Sequence, residues 1–514
     1  MITIIGLGPG DPKLLTREAW EALTTAHEIY LRTRKHPTVA GLPHQLKLHD
    51  FDAVYDSGSS FEKVYARIVT TLIKKAKKGD VIYAVPGHPL VGESTVPMLI
   101  EAARAEKIAT KMVSGMSFIE PVLETLAQVH TSRPVAYPSS LTTFDPFNGL
   151  QLCDAIDLAN GHHPPLSPDC PALIAQVYSR AIASDLKLTL MNQYPPLHEV
   201  LVVRGGETTS KHISSGVHRP SSPVLRRLLH ELDHQDDFDH LTTLYVPAMP
   251  RISSLEGLQE TMAHLRAPEG CPWDREQTHQ SLRNTLLEET YEVLTAIDED
   301  DMGALKEELG DLLFNVLFQV QMATEAEQFR MVDVIGEVDA KLKRRHPHVF
   351  GDLKTNDHKQ ISANWDAIKK HEHKIKGQER KSALDGIAPA LPALAQAQKM
   401  SHRAAKTGFE WANPQQLLAK VQEELAEVLA AKNNTERQEE LGDLFFTLVD
   451  WADAHGIDAE TAAREANLKF ARRFRALEQI VRRRKLDLQQ LPTEKLLTLW
   501  QLAKAKAAQT QNPA

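Results

Sequence analysis

Two stretches of the sequence concentrate carboxylates at helical spacing. LLEETYEVLTAIDEDDMGALKEELGDLLF, which starts at Leu286, contains an EExxE group followed by an ExxD group. VQEELAEVLAAKNNTERQEELGDLFF, which starts at Val421, contains the same two groups in the same order. Because like charges at these spacings repel one another on a helix, the pattern predicts a bound cation. Mg²⁺, with Mn²⁺ as the alternative, suits this task because hard divalent cations prefer oxygen ligands and bridge carboxylates to substrate phosphates.

The two stretches form an internal repeat. Their EExxE groups are 135 positions apart and their ExxD groups are 132 positions apart. In each stretch a polar turn, DEDDMG or KNNTE, would fold two helices into a hairpin that brings the carboxylates together. The alternative is that these are solvated faces of bundle helices, and the duplication favours the metal site. The carboxylates concerned are Glu288, Glu289, Glu292, Glu308 and Asp311 in the first hairpin and Glu423, Glu424, Glu427, Glu440 and Asp443 in the second.

Basic and aromatic residues follow each hairpin at matched positions. A Lys and an Arg four residues apart lie on one helical face, where both can bind phosphates, the Arg bidentately. A Trp followed four residues later by a Lys offers a stacking surface beside a cation, although the Trp could equally anchor a core. The matched pairs are Lys341–Arg345 with Lys469–Arg473, 128 positions later, and Trp365–Lys369 with Trp500–Lys504, 135 positions later.

Composition excludes several classes of protein. The chain has 514 residues, a net charge of −9 with both signs interspersed, and three cysteines without metal-binding spacing. No run of apolar residues is long enough to span a bilayer, and the N-terminal MITIIGLGPGD predicts a buried strand rather than a signal peptide. We therefore expect a cytoplasmic protein that binds neither membranes nor nucleic-acid polymers.

The chain is expected to be multidomain, with an α/β part followed by two all-α units. ITIIGLG, DVIYAVPG, TKMVSG, LKLTLMN and LTTLYVP are typical of strands between helices. From Leu255 onward the sequence has helical periodicity, and Pro250, Ser253 and Ser254 are a candidate linker and helix cap. The helical pattern is then interrupted by Gly377, Gly386, Pro389 and Pro392. The predicted domains are 1–248, 253–378 and 385–508.

Residues from about 255 to 506 resemble the MazG family of nucleoside triphosphate pyrophosphohydrolases in its tandem form. The motifs that carry the resemblance are CPWDREQT, LLEETYEVLTAI, EELGDLLF, KLKRRHPHVFG and NWDAIKKHE, then AAKTGFEW, EELAEV, EELGDLFF and NLKFARRF. The resemblance implies two all-α units that form a homodimer and, with Mg²⁺, split nucleoside triphosphates into monophosphates and pyrophosphate. The residues it implies are Glu424, Glu427, Glu440 and Asp443 as catalytic metal ligands, Glu289, Glu292, Glu308 and Asp311 as their counterparts, and Asn467, Lys469, Arg473, Trp500 and Lys504 on the nucleotide.

The resemblance favours the second repeat as the working one. In tandem members the C-terminal copy is usually the competent one, and here it alone has Asn467 where the first copy has Asp339. The first copy keeps every acidic motif residue, so activity there stays open. Asp450 stands where the family often carries Asn, which leaves base preference open.

The first 248 residues resemble the tetrapyrrole methylase superfamily, which binds S-adenosylmethionine between two α/β lobes. IIGLGPGDPKLLT, GDVIYAVPGHPLVGEST and VSGMSFIEPVLETLA carry the resemblance, and His88 stands where many active methylases have Asp. Two other functions therefore stay open: an S-adenosylmethionine-dependent methyltransferase with accessory helical units, and a nucleotide sensor without turnover. The cofactor-binding residues implied are Pro9, Gly87, His88, Ser94, Thr95 and Ser117.

Overall fold

The computed structural model describes residues 1–57, 60–131, 149–204, 224–234, 238–239, 241–375, 382–409, 411 and 413–509. Contacts divide the chain into two compact units, Met1–Met331 and Val332–Ala514. The first unit begins with two sheets and their helices, and everything after Val246 that the structure describes in regular elements is helical. The predicted class, an α/β part followed by an all-α part, is confirmed.

A parallel five-stranded sheet opens the chain. Its order is β3-β2-β4-β1-β5, and every neighbouring pair is parallel. Apolar clusters cover both faces of the sheet, as expected for a parallel sheet whose three central strands consist mostly of buried residues. The elements are β1 Ile2–Gly6, α1 Arg17–Thr25, β2 Glu28–Leu31, β3 Lys47–Asp50, α2 Asp52–Ser57, α3 Phe61–Ala76, β4 Val81–Val85, α4 Thr95–Ala105, β5 Thr110–Val113 and α5 Ile119–Thr131.

Glycines allow the loops at the carboxyl ends of β1, β4 and β5 to approach one another closely. Gly8 and Gly87 exchange backbone hydrogen bonds, and both have positive φ, 72° and 64°. A Cβ atom added at Gly6 would lie 2.6 Å from the Gly87 carbonyl oxygen and 2.6 Å from the Gly115 nitrogen. Side chains at these positions would force the loops apart.

A second five-stranded sheet follows, in the order β6-β7-β10-β8-β9. The β6–β7 pair is parallel, and the other neighbouring pairs are antiparallel. The elements are β6 Gln151–Asp154, α6 Ala155–Ala159, β7 Ala172–Ala175, α7 Arg180–Leu190, β8 Glu199–Arg204, β9 Val224–Leu228 and β10 Thr242–Val246.

The prediction of a strand at LKLTLMN is wrong, because this segment ends helix α7. Ser179 caps the helix by accepting a hydrogen bond from the Ile182 nitrogen at 3.3 Å. Ala183, Leu186 and Leu190 are buried at spacings of three and four residues, which is the period of a helix. The alternation of Leu with polar residues imitates a strand over a length too short to distinguish the two periods.

The remaining elements are helices. None of the described helices is long and apolar enough to cross a membrane. Ser254 caps the first of them, as predicted. In the first unit they are α8 Leu255–Arg266, α9 Pro272–Glu276, α10 Arg283–Asp298 and α11 Met302–Glu325, after which come α12 Met331–Arg345, α13 Pro347–Phe350, α14 His358–Ile375, α15 Ala393–Ala405, α16 Pro414–Ala430, α17 Asn434–Ala454, α18 Ala459–Arg483 and α19 Thr493–Gln509.

The predicted domain boundaries stay a prediction. Gly377 lies outside the described residues, whereas Gly386 and Pro389 precede helix α15.

Both predicted helical hairpins are present. Helices α10 and α11 contact each other, as do α16 and α17. Asp301 caps α11 by accepting a hydrogen bond from the Gly303 nitrogen at 2.9 Å. Asn433 caps α17 by accepting one from the Glu436 nitrogen at 2.9 Å. The polar turns therefore start the second helix of each hairpin at a defined residue.

Replacing Gly6 with Ala is expected to destabilise the first sheet, since the new methyl group would collide with the backbone of the neighbouring loops. Overpacking of this kind costs about 1–3 kcal/mol, so amide hydrogen exchange in β1, β4 and β5 should accelerate by about tenfold or more. Gly79→Ala is the matched control, because no atom lies within 4 Å of a Cβ added there. Equal exchange in the two variants would contradict the steric role of Gly6.

Candidate functional site

The first cluster of carboxylates consists of Glu289 on α10 with Glu308 and Asp311 on α11. One oxygen atom from each side chain lies within 4.8 Å of the other two. Desolvation raises the pKa of both glutamates, and the neighbouring negative charges raise it further. The predicted meeting of carboxylates from two helices is therefore what the first hairpin shows.

The second cluster consists of Glu424 on α16 with Glu440 and Asp443 on α17. Its three oxygen atoms also lie within 4.8 Å of one another. Glu424 is only 5% exposed. Desolvation raises the pKa of Glu440, and the charges of Glu427, Asp443 and Glu424 raise it further. The two repeats thus build the same arrangement from equivalent positions.

Two further predicted ligands stand at the edges of the clusters. Neither Glu292 nor Glu427 belongs to a three-residue group. Glu292 nevertheless raises the pKa of Glu308 through its charge and a side-chain hydrogen bond, and Glu427 raises that of Glu440 through its charge. Each of the two is therefore near enough to its cluster to interact with it electrostatically.

A lysine neutralises part of the second cluster. The Lys420 ammonium lies 2.9 Å from carboxylate oxygens of both Glu423 and Glu424. These contacts raise the pKa of Lys420. The corresponding position of the first repeat, 135 residues earlier, is Thr285. Only the second cluster therefore has a cationic side chain at this point.

The donor set of both clusters fits a hard divalent cation. Each cluster offers carboxylate oxygens from two helices, and Mg²⁺ and Mn²⁺ prefer oxygen ligands. Desolvation, and after it the neighbouring negative charges, raise the pKa values of Glu289, Glu308 and Glu440, so part of each shift comes from repulsion within the cluster. A cation would relieve that repulsion.

Helices α18 and α19 carry the predicted nucleotide-binding residues of the second repeat. The rings of Phe470 and Trp500 have centroids 5.6 Å apart, and Trp500 also packs against the apolar cluster between these helices. The indole therefore serves partly as a core anchor, which was the alternative interpretation. Among the described residues, the two phosphate-binding candidates Lys469 and Arg473 have no ion pair with a carboxylate, and the other candidates on these helices are Asn467 and Lys504.

Two of the equivalent cations of the first repeat, Arg345 and Lys369, have partners within the protein. Arg344 and Arg345 both lie 2.6 Å from the carboxylate of Glu372. Hydrogen bonds from Arg345 and Arg344 lower the pKa of Glu372 to about 2. The Lys369 ammonium lies over the Trp365 ring, 4.7 Å from its centroid. Arg345 and Lys369 are thus held in internal contacts, whereas Lys341 has no carboxylate partner among the described residues.

A cavity of about 760 Å³ opens between the two sheets of the N-terminal part. Its lining comes from both sheets, including the ends of β7 and β8. Of the six predicted cofactor residues, Pro9 and Gly87 line it. The other four, His88, Ser94, Thr95 and Ser117, are not among the described residues that line it.

Three of these four make internal contacts instead, among them His88, whose Nδ1 accepts a hydrogen bond from the Leu90 nitrogen at 3.1 Å. The Thr95 hydroxyl is buried between Glu93 at 2.5 Å and the Tyr83 hydroxyl at 2.8 Å. Ser117 donates a hydrogen bond to the Glu120 carboxylate at 2.5 Å. Their hydroxyl groups therefore organise the loops around the cavity.

An arginine that the sequence did not single out stands in the cavity wall. Arg32 forms an ion pair with the buried Glu93 and donates a hydrogen bond to the Tyr55 hydroxyl at 2.8 Å. It also lies over the Tyr65 ring, 5.6 Å from the centroid. Strand ends far apart in the chain supply this group, and no local spacing signals it.

Three family models match separate parts of the chain. Residues 1–212 match tetrapyrrole (corrin/porphyrin) methylases, residues 277–350 match the MazG nucleotide pyrophosphohydrolase domain, and residues 394–469 match phosphoribosyl-ATP pyrophosphohydrolase. Uncharacterized protein YabN of Bacillus subtilis is 36% identical over 98% of this chain and 98% of its own length. The nucleoside triphosphate pyrophosphohydrolase/pyrophosphatase MazG of Thermotoga maritima is 43% identical over 48% of this chain and 95% of its own length.

The chain belongs to the MazG family. A nucleoside triphosphate pyrophosphohydrolase of Escherichia coli strain K12 is similar to the same extent, with 43% identity over 49% of this chain and 98% of its own length. The predicted fusion of a tetrapyrrole methylase domain to MazG units is confirmed.

Some residues of the MazG units were missed by sequence reasoning. Lys420 had a usable signal, since it lies four residues before Glu424 on one helix. The signal for Glu372 was weaker. The position 135 residues later is Ala507, so a comparison of the two repeats shows a carboxylate that only the first repeat has.

Replacing Glu440 with Gln is expected to raise the thermal unfolding midpoint of the metal-free protein by about 1–2 °C near neutral pH. The folded-state pKa of Glu440 lies above its unfolded value, so the ionised carboxylate destabilises the fold increasingly as the pH rises through that folded-state pKa. The difference between wild type and variant should therefore disappear in acid, below the unfolded pKa, where both states are protonated.

Midpoints measured in EDTA between about pH 4 and about pH 8 test this expectation. Glu439→Gln is the control, because Glu439 lies on the same helix but outside the second cluster. A pH-independent difference for Glu440→Gln would contradict like-charge repulsion as its origin.

Proposed function

We propose that this protein is a Mg²⁺-dependent nucleoside triphosphate pyrophosphohydrolase that releases nucleoside monophosphate and pyrophosphate. The observation that carries the proposal is the second cluster, in which Glu424, Glu440 and Asp443 present three oxygens within 4.8 Å. Two relatives named as nucleoside triphosphate pyrophosphohydrolases, each about half as long as this chain, support the same reaction.

The carboxylates are the proposed metal ligands. When bound, Mg²⁺ or Mn²⁺ would lower the pKa of a water molecule and neutralise charge on the phosphates. The chain contributes the geometry, because two helices of one hairpin hold the oxygens in place before any ligand arrives. The proposed ligands are Glu424, Glu427, Glu440 and Asp443 in the second repeat and Glu289, Glu292, Glu308 and Asp311 in the first.

Basic side chains on α18 and α19 are the proposed phosphate-binding groups. Lys469 and Arg473 lie four residues apart and have no carboxylate partner among the described residues, so both remain available to an anionic substrate. Asn467, Trp500 and Lys504 complete the proposed nucleotide site. Because Arg345 is already paired with Glu372, the second repeat is the proposed site of turnover.

The helical units are proposed to form a homodimer. Both helices of the second hairpin expose large apolar side chains, including Leu429 at 78% and Phe445 at 51%. Exposed apolar surface of this kind is typical of an interaction site. A cytoplasmic location stays a prediction.

Replacing Asp443 with Asn is expected to reduce pyrophosphate release by at least about 100-fold, since loss of even an outer partner of a metal ligand commonly costs 10- to 100-fold. The amide keeps the shape of the side chain and removes the charge that a cation needs. Pyrophosphate and orthophosphate released from each nucleoside triphosphate with Mg²⁺ should be measured for the full chain.

Asp311→Asn is the matched control, because it makes the same change in the first cluster. A large loss from Asp311→Asn and none from Asp443→Asn would move the active site to the first repeat. Orthophosphate as the product would rule out the proposed cleavage, and tight nucleotide binding without any product would identify a sensor.

We propose, as a second function, that the N-terminal domain binds S-adenosylmethionine. The 760 Å³ cavity between its two sheets supports this, because Pro9 and Gly87, two residues of the glycine loops, line it. Methyl transfer to an acceptor is the alternative activity that such binding would permit.

Titration calorimetry of the full chain with S-adenosylmethionine should detect one ligand per chain, displaced by S-adenosylhomocysteine. Thr125→Trp should weaken this binding by about tenfold or more, because Thr125 lines the cavity and an indole would fill part of it. Thr71→Trp is the control: both hydroxyls donate to a carbonyl four residues earlier, and Thr71 does not line the cavity. Absence of heat with the wild type would contradict the proposal.

A further inference from the structure

Helix α17 carries a third acidic side chain on the face of the second cluster. Asp450 follows Asp443 by seven residues, which is nearly two full turns, so both project from the same side of the helix about 10 Å apart along its axis. Asp450 is separated from the cluster by Thr447, whose hydroxyl donates to the Asp443 carbonyl oxygen at 2.9 Å. Asp450 is therefore in line with the metal ligands without belonging to them.

The two oxygens of Asp450 have different surroundings. Oδ2 accepts a hydrogen bond from the indole nitrogen of Trp411 at 3.1 Å. Oδ1 is buried and has no hydrogen-bond partner within the part of the chain that the structure describes. A buried carboxylate oxygen without a donor is costly, and such groups in folded proteins generally receive a hydrogen bond from a ligand or a water molecule.

Trp411 gives this position a second property. Its indole is 45% exposed while its nitrogen is held by Asp450. A fixed aromatic face beside a hydrogen-bond acceptor is the combination that recognises a flat heterocycle with an N–H group. Asp450 lies about two helical turns from the cluster. This distance corresponds to the separation between the phosphates and the base of an extended nucleotide.

We propose that Asp450 and Trp411 recognise the nucleobase at the second repeat and select bases with an amino group at purine C6 or pyrimidine C4, as in adenine and cytosine. This inference rests on the proposed function. The chemical reason is that an aspartate carboxylate only accepts hydrogen bonds. An amino group on the base donates one to Oδ1, whereas a carbonyl at the same place puts two oxygens against each other.

The neighbouring acid on the same helix does not meet these conditions. Asp453, three residues later, accepts a hydrogen bond from the Gln398 amide at 3.0 Å and lies 3.8 Å from His402. It is therefore partnered within the protein and serves as a control.

The test compares nucleotides that differ only in the group concerned. Pyrophosphate release is measured for ATP against ITP and for CTP against UTP, in a chain that also carries Asp311→Asn so that the first repeat is silent. The amino nucleotides should be favoured by about 10- to 100-fold in kcat/KM, the range expected for a hydrogen bond to a charged group. Dissociation constants for the same four nucleotides, measured calorimetrically with Ca²⁺, make the comparison independently of turnover.

Asp450→Asn provides the decisive variant. The amide can keep the hydrogen bond from Trp411 through its oxygen and presents an NH₂ group in place of Oδ1, so the preference should fall to near unity or reverse toward ITP and UTP. Asp453→Asn should leave the ratios unchanged. Because each ratio is internal to one protein, a general loss of stability does not move it.

Two outcomes would overturn the inference. One is equal ratios in wild type and Asp450→Asn, and the other is a wild-type preference for ITP and UTP. Failure of the proposed function would show differently, as the absence of pyrophosphate from all four nucleotides, and the dissociation constants would still decide the role of Asp450.

Discussion

Both carboxylate clusters depend on a helical hairpin that keeps like charges together. At surface positions each like-charge pair costs only a few tenths of a kcal/mol, whereas burying one Leu or Val side chain contributes about 1.5–3 kcal/mol. Leu417 on α16 and Leu444 and Val449 on α17 are all buried, the last at 2% exposure. Packing therefore outweighs the repulsion among the more exposed carboxylates, and Lys420 compensates the charge of the buried Glu424. The second hairpin can thus hold its carboxylates in place without a cation. A bound cation would remove the remaining repulsion, and the free energy released in this way would favour cation binding.

The two repeats share this device but differ in how their charges are compensated. In the second repeat Lys420 lies against Glu424, while the cations farther along the chain have no carboxylate partner among the described residues. In the first repeat the cluster has no such lysine, and Arg345 is instead paired with Glu372. The sequence difference at only a few positions thus changes which side chains are available to an anionic substrate. Duplication of the motif preserves the cluster without preserving the groups around it.

How much could be predicted from the sequence depends on how far apart in the chain the interacting residues lie. The hairpins were predictable because each is a continuous segment with a helical period and a polar turn, and its carboxylates follow from the register. The strand prediction for LKLTLMN was wrong because five alternating residues fit a strand and a helix equally well. Burial of Leu186 and Leu190 against the core stabilises the helix. The Arg32–Glu93 pair was out of reach, because the residues come from separate loops that only the sheet order brings together.

The N-terminal cavity differs from the carboxylate clusters because backbone loops, rather than side chains on helices, determine its shape. Gly6, Gly87 and Gly115 let three loops touch, and side chains there would separate them. One charged group in its wall, Arg32, is also largely satisfied internally, because it is already bound to Glu93 and Tyr55. A ligand therefore gains little by pairing with that charge, and the close approach of the glycine loops sets the shape of the space that it would occupy.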